Sequence, residues 1–192
     1  MQFNFTDPRF IFGVLVVVLI FGTILGVFIE RRKKKSQALR NRFGTEYDRA
    51  VSVHGSEQKA EAKLADRETR VEKLNIRDLT ITERARFLAE WQAVQSRFVD
   101  HPKGAVTEAD ELVSTLLLAR GYPVTAFDQR AADVSVDHPV LMEPYRSAHA
   151  VAVRNGPVQA TTEELRTAMV QYRAIFDELV QEKVLVDHKA AA

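Results

Sequence analysis

The chain has 192 residues, 46% of them hydrophobic and 28% charged, with a formal net charge of +1 and no cysteine. The lack of cysteine excludes disulfides, thiol catalysis and Cys-based zinc sites, and it suits a reducing compartment. The near-neutral total hides a split. Residues 1–42 carry eight Lys/Arg against two Asp/Glu, a net of +6, and the remainder carries nineteen against twenty-four, a net of −5. Nucleic-acid binders carry their basic surface on the folded domain, so an acidic body argues against nucleic acid as a partner.

Residues 10–29 read FIFGVLVVVLIFGTILGVFI and contain no charged side chain. At about 1.5 Å per residue they make a helix roughly 30 Å long, the hydrocarbon thickness of a bilayer. A buried core helix is usually shorter and keeps a polar face. Here Thr23 alone brings a side-chain hydrogen-bonding group, which a helix satisfies internally. A cleaved signal peptide needs a basic start, a shorter apolar centre and a small-residue cleavage site. This start offers Arg9 and the amino group against Asp7, and the run ends in Phe28-Ile29-Glu30-Arg31. The pattern predicts an uncleaved transmembrane helix.

Arg31, Arg32, Lys33, Lys34 and Lys35 follow directly, then Arg40 and Arg42, while Arg9 alone precedes the run. Lys and Arg beside a spanning segment are retained on the cytoplasmic side. The expectation is a single-pass protein of the plasma membrane, with the short N-terminus outside and the C-terminal domain in the cytoplasm. The five consecutive cations are also the expected contacts to anionic lipid headgroups, worth about 1 kcal/mol each. Phe3, Phe5, Phe10 and Phe12 are expected at the outer interface. Gly22 and Gly26 form a G-x-x-x-G, a spacing that lets two spanning helices approach closely and offers a face for a homodimer.

The resulting layout is a short segment over 1–9, the transmembrane helix over 10–29, a basic juxtamembrane segment over 30–43, a helical soluble domain over 44–182 and a frayed end over 183–192. Helix continues through 36–43 until Gly44. Thr45 is the expected cap of a helix that presents Tyr47, Ala50 and Val51 and stops at Gly55. Ser56 caps a mostly charged helix over 57–74. Its narrow stripe of Ala60, Leu64, Val71 and Leu74 is interrupted at Arg67 and Glu68, which predicts an edge helix or an arm that meets a partner.

Thr82 is the expected cap of the next helix, over 83–99, with Phe87, Leu88, Trp91, Val94 and Phe98 at three- and four-residue steps. Trp91 reads as core. After a turn over 100–104 comes a strongly apolar helix over 105–120, with Val106, Ala109, Leu112, Val113, Leu116 and Leu117 at its centre; Gly121 and Pro123 stop it. Thr125 and Asp128 suggest a capping box for a short helix to Val134. Pro139 suits the first turn of a helix to Val153, which Pro144 should bend or shorten. Asn155-Gly156-Pro157 is a loop. Thr161 and Glu164 form a capping box for the clearest amphipathic helix, with Leu165, Ala168, Met169, Tyr172, Ile175, Phe176 and Leu179 in period. No segment alternates as a strand does. The fold class is all-α: one N-terminal transmembrane helix followed by a cytoplasmic bundle of about six helices.

Candidate chemistry is sparse. The densest polar stretch runs over 128–149, and Asp133, Asp137, His138 and His149 are its candidate metal- or proton-handling groups. It holds no H-E-x-x-H, and the favoured reading is a turn and two helix ends held by caps and ion pairs. There is no G-x-S-x-G elbow, Walker loop or G-x-G-x-x-G, so no catalytic residue, metal or cofactor is assigned.

The runs Arg42-Phe43-Gly44-Thr45-Glu46-Tyr47-Asp48-Arg49, Trp91-Gln92-Ala93-Val94-Gln95 with Arg97-Phe98, Gly121-Tyr122-Pro123, Asp128-Gln129-Arg130-Ala131-Ala132-Asp133 and Val136-Asp137-His138-Pro139 occur in that order. In this the chain resembles uncharacterised bacterial single-pass membrane-anchored proteins that often carry the label "secreted protein". The resemblance implies a bacterial source and an anchor-plus-helical-domain layout, and it brings no activity. The label conflicts with the charge asymmetry, which places the body inside. The functional expectation is an interaction or scaffold protein at the inner membrane face, bound to lipid and to a protein partner. The alternative is an enzyme or metal-dependent site within 128–149.

Overall fold

The computed structural model describes residues 8–123, 125–154 and 160–181, with side chains of the first helix described at Phe12 and from Leu19 onward. These residues form eight α-helices and one 3-10 turn, with no strand among them. The chain divides into two compact units, Met1–Arg42 and Phe43–Ala192.

The first unit is built on α1 (Pro8–Phe43). Pro8 sits where its missing N–H costs nothing, and no breaker follows until Gly44, so apolar run and basic segment share one helix. The large apolar side chains described from Leu19 to Ile29 are between 46% and 68% exposed. Thr23 Oγ1 donates to the Ile20 carbonyl at 2.8 Å, the internal satisfaction expected of it. Among the described residues no helix is long and apolar enough to cross a membrane. The spanning helix expected over 10–29 is therefore not found there; the side chains described in that run are Phe12 and 19–29.

The second unit holds α2 (Thr45–His54), α3 (Glu57–Val71), α4 (Ile81–Arg97), α5 (Pro102–Ala119), α6 (Phe127–Val134), a 3-10 turn (Pro139–Leu141), α7 (Met142–Ala152) and α8 (Thr162–Gln181). Helix α8 packs on α7, α5 and α4. The main core is drawn from α4 to α8 with Leu79 and Tyr122 from the connections. Each apolar position picked out along α5 is buried, as is each one along α8. Trp91 stacks on Phe176 with ring centroids 4.7 Å apart. Helices α2 and α3 pair as a hairpin, and its buried side chains Tyr47, Ala50, Ala60, Leu64 and Val71 stand outside that core cluster.

Helix α5 ends in a Schellman turn: Gly121 N–H donates to Leu118 O and Tyr122 N–H to Leu117 O, both at 3.0 Å. Gly121 has φ of +97°, and a Cβ there would lie 2.3 Å from the Asn75 carbonyl oxygen. The turn thus needs glycine for its conformation and for the approach of the connection before α4. Arg120, 4% exposed, donates from Nη1 to the Leu179 carbonyl at 2.8 Å and ties this turn to the last turn of α8.

Several local expectations are corrected. Gly44, not Thr45, caps α2. Thr80, not Thr82, caps α4, in a full capping box with Glu83; the earlier Thr-x-x-Glu pair wins because it satisfies two end N–H groups reciprocally. Thr125 caps nothing: α6 starts behind Ala126 without a side-chain cap, and Thr125 Oγ1 is buried with no hydrogen-bond partner. Helix α3 stops at Val71, and α5 begins at Pro102 inside the expected turn. The helix after Pro139 starts late, as expected with Pro144 inside it: a 3-10 turn leads into α7 at Met142. The second unit has seven α-helices among its described residues rather than about six. Asn155-Gly156-Pro157, the interface positions Phe3 and Phe5, and the frayed end over 183–192 lie outside the described residues.

Candidate functional site

The basic collar is accessible: Arg31, Arg32, Lys33, Lys34 and Lys35 are all exposed on α1, with Lys34 Nζ 3.0 Å from Glu30. A Cβ added at Gly22 or Gly26 would meet nothing within 4 Å, so both positions face open space.

The four polar candidates of 128–149 do not converge. Asp133 is 1% exposed, and its Oδ1 accepts from Arg70 Nε at 2.7 Å and Gln129 Nε2 at 2.9 Å, while Oδ2 is buried without a partner. Asp137 accepts from the Tyr122 hydroxyl at 2.9 Å. His138 is buried with Nδ1 3.8 Å from Glu178. His149 Nδ1 lies 3.0 Å from Asp110 Oδ1, and its ring stacks on Phe127 at 3.6 Å and 7°. Among the described residues no three His, Asp or Glu side chains stand together in a way that holds a metal ion.

Asp110 on α5 is the hub of one network. Its Oδ1 faces His149 and also accepts from the Tyr172 hydroxyl at 2.8 Å. Burial pushes the Tyr172 hydroxyl well up, and the charge of Asp110 adds to it. Burial also raises the Tyr145 hydroxyl, against the pull of Arg130, whose Nε lies 3.3 Å away. Both phenols are therefore fixed as donors and acceptors at neutral pH. The network pins α5, α7 and α8 together around one carboxylate.

A second network joins the hairpin to the rest of its unit. Glu46 on α2, 3% exposed, takes both terminal nitrogens of Arg146 from α7, and Arg67 Nη1 on α3 lies 3.7 Å from its Oε2. Arg67 also donates to Ser135 Oγ at a long 3.5 Å. Beside them Arg70 binds Asp133. Three guanidiniums thus surround two buried carboxylates. Burial pulls Arg67 below its ordinary value, Glu46 opposes this, and Arg146 and Arg70 add to it. On the outer side of Arg67 and Arg70 lies a cleft of about 320 Å³, rimmed by His54, Lys63, Asp66 and Asp128.

Sequence reasoning missed Asp110, Glu46, Arg67 and the hydroxyl of Tyr172, and it placed Arg146 only among the polar residues of 128–149. Arg67 left one signal, the break it makes in the apolar stripe of α3. Tyr172 reads as core because its ring is core; the partner of its hydroxyl is 62 residues away. No family model, curated protein or solved structure matches the chain.

Proposed function

We propose that the protein is a membrane-anchored helical interaction or scaffold protein, held at the inner face of a bacterial plasma membrane by the N-terminal half of α1. The observation that carries this is the exposure of the apolar side chains described from Leu19 to Ile29, directly ahead of five exposed cations. An α-helix apolar on every side is stable when lipid or protein covers it. The uncharged sequence of 10–29 is long enough to span, and the cations behind it favour retention of the body on the cytoplasmic side. The bacterial setting comes from the resemblance of the motif series running from Arg42 to Pro139.

The interaction role is supported by the layout. Helix α4 exposes two large apolar side chains, Ile81 and Leu88. Gly22 and Gly26 offer α1 a close-packing face for a second copy.

Membrane extraction tests the anchor. After expression in bacteria the chain should stay in the membrane pellet through an alkaline carbonate wash and leave it with detergent. Replacing Leu19, Phe21, Ile24 and Phe28 by Ser should release it to the wash. Release of the unaltered chain by carbonate alone would contradict the anchor.

A further inference from the structure

We infer that the cleft over Arg67, between α3 and α6, binds a small oxyanion, a phosphate or carboxylate group. The layer beneath it holds more guanidiniums than carboxylates, with Arg67 well buried and Arg70 40% exposed. Arg67, Arg70 and Arg146 bring three positive charges, and Glu46 and Asp133 bring two negative ones. Arg146 and Arg70 are each committed to a carboxylate through close contacts. Arg67 is left with the excess. Its side chain is 18% exposed, and its contacts are the long ones, 3.7 Å to Glu46 and 3.5 Å to Ser135. A guanidinium has five donors in a planar fork made for a two-oxygen acceptor, and a half-desolvated one with unused donors gains most from an anion.

The surroundings fit that use. The cleft of about 320 Å³ opens on Arg67 and Arg70 together, and Lys63 and His54 stand on its rim. Among the described residues Lys63 pairs with Asp66, at 3.7 Å. Asp66 and Asp128 also line the cleft and offset part of its positive charge; both are exposed, as is Lys63, so water screens these three more than it screens Arg67. They limit the anion to a small one seated deep, on the guanidinium side. All these groups belong to the Phe43–Ala192 unit, so the site does not rest on the membrane anchor.

The test uses the full chain in phosphate-free maltoside micelles, titrated calorimetrically with inorganic phosphate in a chloride-free buffer. Arg67→Gln should weaken binding by about tenfold or more, because the charge-assisted fork is lost, while Arg67→Lys keeps part of it. Lys63→Gln, an exposed change that leaves the fold alone, should weaken it by about threefold, and Asp128→Asn should tighten it by a similar factor. Helix content by circular dichroism separates loss of the site from loss of the fold. Repeating the titration in phosphatidylglycerol nanodiscs names the source: unchanged affinity means a free oxyanion, and competition means a lipid headgroup phosphate. Absence of saturable binding by the unaltered chain at millimolar phosphate would overturn the inference, as would equal affinity in Arg67→Gln, Lys63→Gln and Asp128→Asn.

Discussion

Arg146 and Glu46 lie 100 residues apart in the chain and meet through both guanidinium Nη atoms, so α7 and the α2–α3 hairpin share one ion pair. Removing one member of a buried pair costs about 3–5 kcal/mol, because the other charge is left uncompensated. The charge imbalance around this pair orders the effects. Glu46→Gln leaves three guanidiniums against one carboxylate and should be the most destabilising. Arg146→Met leaves two against two and should cost less, and Arg67→Met, which removes the excess cation, least of all. Denaturant unfolding of the three variants checks the order.

Gly121 should tolerate no side chain. Gly121→Ala places a Cβ 2.3 Å from a backbone oxygen at a φ of +97°, so either the Schellman turn or the connection at Asn75 must move. A loss of about 3 kcal/mol is expected, against about 1 kcal/mol for Gly55→Ala, which is strained in φ but meets nothing within 4 Å. Thermal midpoints of the two variants give the comparison.

The two capping boxes give the protein an acid-sensitive component. Glu83, bound by Arg77 and then by Thr80, is held at about 2 against an ordinary 4.5. Glu164, bound by the Thr161 backbone and then by Arg154, is held at about 2 as well. A carboxyl depressed on folding stabilises the fold above its unfolded value and loses that contribution as pH falls through its folded value. The contribution is therefore complete above about pH 4.5 and fades toward pH 2. The double variant Glu83→Gln/Glu164→Gln keeps the cap geometry without the charge, so its stability should change less across that window. Urea midpoints between pH 5 and pH 2 measure the difference.

Trp91 is 1% exposed, and its indole nitrogen is buried without a hydrogen-bond partner. Trp91→Phe removes that orphan donor and keeps most of the stack on Phe176, so it should cost under about 1.5 kcal/mol, whereas Trp91→Ala should cost about 3–5 kcal/mol. Paired unfolding curves separate the two.

The helices that face the main core were legible because their period is written in apolar residues: α5 and α8 match position for position. Caps were legible only where side chain and backbone agree. Thr161–Glu164 stands directly ahead of its apolar period, whereas at α4 Thr80–Glu83 competes with Thr82, which lies closer to the period but lacks a Glu three residues on. The polar networks were not legible at all. Glu46 with Arg146, Arg70 with Asp133 and Asp110 with Tyr172 are pairings across 62 to 100 residues, and no local pattern marks a charge whose partner arrives from another helix. His138 and His149 drew attention by being histidines close in sequence, yet each is held by a different helix.

Protease treatment of bacterial spheroplasts that carry the chain, with a tag at its C-terminus, tests the anchored, inward-facing body most directly. The expected result is full protection of the Phe43–Ala192 unit until the membrane is opened by detergent, and rapid cleavage afterwards. Digestion of that unit in intact spheroplasts would contradict the orientation, and its recovery in the soluble fraction without detergent would contradict the anchor.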